Sequence, residues 1–197
     1  MAKARRIIFY TLGTIAALFV ILVIVRMVHL YNLENTNEQV AKIHATKLTL
    51  DDVLGVNLPP YPGEEADKTI AGVDANANGI RDDVELAIFK EYPDSARTRA
   101  VLLQYALVVQ MQMVQPVTTS EIATSIAEKE SQGYSCIGSI VPRGDDDLEK
   151  IDAYISFVED KQFDTNIRKE RRDIFSKNVG SFELQSGCDL DIVTLNN

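Results

Sequence analysis

The residues with the most chemistry in them fall in one short run. Residues 74–85 read Asp-Ala-Asn-Ala-Asn-Gly-Ile-Arg-Asp-Asp-Val-Glu. Oxygen-bearing side chains occupy every second position at Asp74, Asn76 and Asn78, a glycine follows, and the stretch closes with the acids Asp82, Asp83 and Glu85. Such a run suits a hard cation: Ca²⁺ takes six to eight oxygens at about 2.3–2.6 Å, gathered by a tightly turning backbone. The plainer alternative is an Asn/Gly-rich turn in which Asp82 or Asp83 caps the following helix.

The spacing matches D-x-[DN]-x-[DN]-G-x5-E at every specified position, and so resembles the calcium loop of the EF-hand family over these 12 residues. The resemblance implies that Asp74, Asn76 and Asn78 give side-chain oxygens and Ile80 its backbone carbonyl. Asp82 would give an oxygen directly or through water, and Glu85 both carboxylate oxygens. Gly79 stands where the loop needs a residue tolerant of positive φ. Pro62, Gly63 and Gly72 leave little room for an entering helix. One loop followed by one helix is more similar to the calcium-stapled modules of secreted bacterial proteins. The wider stretch 58–85 resembles uncharacterised membrane-anchored bacterial envelope proteins, a likeness that implies no activity. With Asp74, Asp82 and Glu85 as the charged ligands and Arg81 among them, the expected affinity is modest, about 10⁻⁴–10⁻³ M as in extracellular modules.

Other catalytic material is scarce. His29 and His44 have no Cys or His at metal-ligand spacing, so neither a zinc site nor histidine-driven nucleophilic catalysis is expected. Carboxylates for hydrolysis could be drawn from Glu128, Glu130 or Asp145–Asp147, but that last run reads better as a solvated helix start. The basic stretch 167–173 reads as a solvated helix face with internal pairs such as Arg168 with Asp173 or Glu170, or else as a contact for anionic headgroups, an envelope polymer or an acidic partner. No catalytic residue is expected, and the chain is not expected to be an enzyme.

These residues must be carried by a chain whose charge is unevenly placed. Lys3, Arg5, Arg6 and Arg26 are the only charges before position 27, so all 29 acidic residues follow them. An acidic body without a basic-aromatic stretch excludes nucleic-acid binding as an expectation. Between the bases, Ile7 to Val25 form 19 uncharged residues, enough for one transmembrane helix across about 30 Å of hydrocarbon. Their length and the Arg26–Tyr31 sequence that follows set them apart from a cleaved signal peptide. Three bases on the N-terminal flank place that end in the cytoplasm and the body outside. Cys136 and Cys188 then lie as an even pair where disulfides form, with two unrelated buried thiols as the alternative.

The expected architecture is all-α: a basic tip and anchor over 1–30, a stalk and Pro-rich spacer over 31–65, and an extracytoplasmic helical domain over 66–197. Thr49 and Asp52 are spaced as a capping pair, and Leu58–Gly63 reads as an extended spacer. A helical pattern is expected from about Thr69, with a helix from Asp82 to about Glu91. Ala96, Ala100, Leu103, Leu107, Met111 and Val114 mark a central helix capped by Asp94 or Ser95. This helix is charge-free from Ala100 onward, but Gln104, Gln110, Gln112 and Gln115 argue against a second membrane crossing. Thr118 and Glu121 are spaced as a capping box for a helix ending near Gly133. Further helices are expected from the 145–147 acids through Val158, and from Asp164 or Thr165 to Gly180.

The expected role is a membrane-anchored, extracytoplasmic Ca²⁺-binding module with a structural or protein-interaction function, partnered by the membrane and by an unidentified envelope protein. The rival expectations are a calcium-dependent envelope hydrolase and a regulatory subunit of a membrane complex.

Overall fold

The computed structural model describes residues 2–196; Met1 and Asn197, the outer ends of the first and last expected segments, lie outside them. Among the described residues the fold is all-helical. The chain divides into two compact units, Met1–Ala41 and Lys42–Asn197. The first consists of most of α1 (Ala2–Ala45), whose apolar residues from Ile7 to Leu33 are exposed. Among the described residues this is the one helix long and apolar enough to cross a membrane, with an 18-residue window of mean hydropathy 2.7.

The second unit has its own core, built around α4 (Ala96–Val114). Every residue from Thr98 to Met113 is buried, so the charge-free stretch serves as a core helix. It packs against α5 (Ser120–Ile140), α6 (Asp147–Gln162), α3 (Asp82–Glu91), α7 (Asn166–Ser176) and α2 (Leu50–Leu54). Residues 42–65, read above as stalk and spacer, cluster with this unit because Ile43, Leu48 and Val53 are buried. Two glutamines of α4 are loop anchors, since a buried amide must find partners. Gln110 Nε2 donates to the Ala71 carbonyl at 2.7 Å, and Gln104 Oε1 accepts from the Asp189 amide at 2.8 Å.

Local sequence signals set several boundaries. Thr49 and Asp52 form the reciprocal capping box of α2, while Ser95 caps α4 and Thr165 caps α7 by accepting from the amide three residues on. Three expectations are corrected. No helix forms between Lys68 and Arg81, where a loop runs instead. Thr118 and Glu121 do not frame α5, because the Thr118 amide is still turning onto the Pro116 carbonyl and the helix starts one residue later, after Thr119. Gly133 does not end α5 either. It sits mid-helix, where a Cβ would stand 3.2 Å from Tyr105 Cδ2, so the missing side chain lets two helices approach.

The largest departure concerns the basic stretch on α7. Arg168 is fully buried rather than solvated. Its guanidinium reaches Asp67 and Asp164 at 2.7 Å each and donates to the carbonyls of Ala66, Thr69 and Ile70. Arg172 makes a two-pronged pair with Glu159, and Arg171 donates to the Gln115 carbonyl. Cys136 and Cys188 are joined as a disulfide with Cα atoms 5.0 Å apart, which fastens the C-terminal tail to α5.

Two variants probe this frame. Arg168→Met leaves the carbonyls of Ala66, Thr69 and Ile70 without their donor and takes from Asp164 one of its two guanidiniums. It is expected to cost about 3 kcal/mol in urea unfolding, against about 0.5 kcal/mol or less for the exposed Lys169→Met. Cys136→Ala with Cys188→Ala opens a 52-residue separation and is expected to cost about 2–4 kcal/mol by the same measurement.

Candidate metal centre

The 74–85 run lies in the loop between the 3₁₀ turn Gly63–Asp67 and α3, and its last four residues are the first turn of α3. Two residues take the left-handed conformation, Ala77 at φ 56° and Gly79 at φ 85°. At Gly79 a Cβ would also stand 2.7 Å from Leu107 Cδ1, so the glycine answers both a backbone and a packing demand. The Ile80 side chain is fully buried and pins the loop to the core. At the loop's two ends, the Asp82 amide donates to the Val73 carbonyl at 2.8 Å.

Within that frame the side chains are ordered by short bonds. Asp74 Oδ1 accepts from the Asn78 amide at 3.1 Å, and Oδ2 from the Gly79 amide at 2.9 Å. Asn76 Oδ1 accepts from the Asn78 amide at 3.4 Å, and Asn78 Oδ1 from the Ile80 amide at 2.9 Å. Asp82 Oδ1 accepts from the Ala75 amide at 2.9 Å. Asn76 and Asn78 then converge on Glu85, their Nδ2 atoms donating to Oε2 at 3.1 Å and to Oε1 at 3.0 Å. The tips of Asn76, Asn78 and Glu85 therefore meet. Among the described residues no three His, Cys, Asp or Glu side chains gather as a metal cluster, because here the acids alternate with asparagines.

The electrostatics of this cluster are one-sided. Glu85 is 1% exposed and Asp82 0%. Burial pushes the Glu85 carboxyl up to about 7, opposed by the Asn76 and Asn78 amides and reinforced by Asp52 and Asp82. Burial also raises Asp82, with the Ala75 amide pulling it down and Asp74 and Asp83 adding repulsion. Asp82 Oδ2 is buried without a partner. The nearest cation in sequence does not help. Arg81, 1% exposed, turns away from the loop to Asp83 at 2.6 and 2.8 Å, Asp164 at 2.9 Å and the Lys161 carbonyl at 2.6 Å. The expectation that Arg81 lowers the charge facing an ion is corrected on this geometry.

The residues present fit a hard cation in two respects. An orphaned buried carboxylate oxygen and a second buried carboxylate lack a facing positive charge, and the donor set is all oxygen or amide. Turning each asparagine amide half a turn exchanges Nδ2 for Oδ1 with little change of shape; it gives up the bonds from the Asn78 and Ile80 amides and faces oxygen to oxygen at Glu85. That arrangement is repulsive unless a cation lies between them.

The other carboxylates are differently placed. Glu130 is raised by burial, opposed by Gln112 and Arg172, and lines a depression of about 320 Å³ with Phe175 and Phe182. Glu159 lines a separate groove of about 660 Å³ with Asp160, Asp164 and Lys169. Sequence reading missed the Asn57 carbonyl, which accepts from Asn76 Nδ2 at 3.0 Å; a backbone oxygen 19 positions upstream of its partner leaves no residue-type signal. No family model matches the chain, and no curated protein or solved structure is similar to it.

The pH dependence follows in sign from Glu85. In chelator the folded state holds the Glu85 proton more tightly than the unfolded chain, whose group titrates near 4.5. Folding stability is expected to fall as pH rises from about 4.5 through about 7, by as much as about 3 kcal/mol. Glu85→Gln is expected to flatten that decline in chemical denaturation followed across pH.

Proposed function

We propose that this chain is a membrane-anchored, extracytoplasmic calcium-binding module with a structural or protein-interaction role. The observation that carries the reading is the pair of buried carboxylates, Asp82 and Glu85, with no cation facing them and with Asn76 and Asn78 converging on one of them. Asp74, Asn76, Asn78, Asp82 and Glu85 with their side chains, and Ile80 with its carbonyl, would hold the ion. What Ca²⁺ supplies there is positive charge, in a place where the protein has none of its own. Arg81 is held outward by Asp83 and Asp164, so its charge does not offset the carboxylates an ion would meet.

The orientation rests on Lys3, Arg5 and Arg6 at the N-terminal flank of the apolar span. It is supported by the Cys136–Cys188 disulfide, which suits an oxidising compartment. Outside a cell a site of about 10⁻⁴–10⁻³ M would be largely filled, which suits a staple better than a switch. The partner in this reading is an envelope protein. The hydrolase alternative needs two perturbed acids facing one cleft. Glu159 does add to the rise of the Glu130 carboxyl, but the two open onto different depressions that have only Arg172 in common, and Arg172 is paired to Glu159.

Melting of the full chain in detergent is the test. With 10 mM CaCl₂ and a site of about 10⁻⁴ M, the stabilisation is expected to reach about 2.7 kcal/mol over chelator. It is expected to vanish in Asp74→Ala with Glu85→Gln. Equal melting in CaCl₂ and in chelator would overturn the reading.

A further inference from the structure

The loop is joined by one group from outside it. After α2 the chain turns at Gly55, φ 70°, where a Cβ would stand 2.8 Å from Phe89 Cε1, so the spacer starts packed against α3. Two residues on, the Asn57 carbonyl points at the Asn76 amide, 3.0 Å from the same Nδ2 atom that lies 3.1 Å from Glu85 Oε2. Asn78 Nδ2 continues the series at 3.0 Å from Glu85 Oε1. These contacts are N–H···O hydrogen bonds of ordinary length, and they bring the Asn57 oxygen next in line to the Asn76, Asn78 and Glu85 side chains. Asp82 Oδ2, fully buried and with no hydrogen-bond donor facing it, is a second, independent observation that the protein itself does not balance the acids of this cluster.

Resting on the calcium reading above, we propose that the Asn57 backbone carbonyl is a further ligand of the ion, supplied by the Pro-rich spacer from outside the twelve-residue loop. With Asn76 turned to present its oxygen inward, that oxygen and the Asn57 carbonyl oxygen face each other at about 3 Å. Two lone-pair donors at that distance repel unless they share a cation. The stretch Leu58-Pro59-Pro60 directly after Asn57 restrains the carbonyl, because each proline fixes its own φ and limits the residue before it. Pro59 is itself buried. The ion then fastens the spacer to the head of α3 as well as closing the loop. The segment from Leu54 to Tyr61 is already held where Gly55 meets Phe89 and where Pro59 is buried, and the ion would add one further tie to it.

The test is a crystal structure of the full chain in detergent with CaCl₂, together with calcium affinities of two variants. The expected result is an Asn57 oxygen about 2.3–2.6 Å from the ion. Asn57→Ala, which keeps the carbonyl, is expected to bind as the parent does. Pro59→Gly with Pro60→Gly, which loosens it, is expected to bind about fivefold more weakly as a ligand loses its rigidity. An ion held by the loop with the Asn57 oxygen beyond about 3.5 Å, or unchanged affinity in the double glycine variant, overturns this ligand and leaves the calcium reading standing. No ion at saturating CaCl₂ overturns both.

Discussion

Asp164 stands between two guanidiniums that the fold has taken out of water. Its Oδ2 pairs with Arg81 and its Oδ1 with Arg168, and both arginines are essentially inaccessible. Burying a charge is costly unless it is paired and hydrogen-bonded on most sides, and these two are. Arg168 gathers the carbonyls of residues 66–70 onto α7, while Arg81 fixes the far side of the ion loop to the end of α6. One carboxylate on the turn between α6 and α7 thus holds the loop at both its approach and its exit.

That arrangement decides the electrostatics of the loop. Arg81 lies between Ile80 and Asp82 in the chain, where it would neutralise the acids if it faced inward. Asp83 and Asp164 draw it outward, so Asp82 and Glu85 are buried among amides and other acids. A site in this condition is poorly balanced by itself and is completed by a cation. Buried polar groups are tied to loops elsewhere in the core too: Gln104 and Gln110 of α4 end on a loop amide and a loop carbonyl, and Arg99 ends on the carbonyls of Val53, Tyr92 and Pro93.

Local features were legible in the sequence because their partners are a few residues away. The Thr49–Asp52 box, the Ser95 and Thr165 caps and the periodic apolar face of α4 each depend on neighbours within a turn or two of helix. The oxygen spacing of 74–85 belongs to the same group. Arg168 did not, since IRKERRD has the composition of a solvated face and its partners near Ala66 lie about 100 positions back. The direction of Arg81 was hidden for the same reason, with its partners at 161–164. Gly133 looked like a helix stop because the residue type is the same whether a glycine caps a helix or admits Tyr105. The Asn57 contact is made by a backbone oxygen, which every residue carries.

The account turns on an electron-rich, oxygen-lined loop that is completed by one hard cation of calcium's size. Calorimetric titration of the full chain in detergent with CaCl₂ and, separately, with MgCl₂ measures this most directly. The account predicts saturable binding of one Ca²⁺ per chain at about 10⁻⁴–10⁻³ M. Mg²⁺ should bind much more weakly, since it demands a near-octahedral shell at about 2.0–2.1 Å and gives up its waters reluctantly, whereas Ca²⁺ accepts six to eight oxygens in a flexible arrangement. No saturable calcium heat, or calcium binding of the same strength after Asp82→Asn with Glu85→Gln, would contradict it.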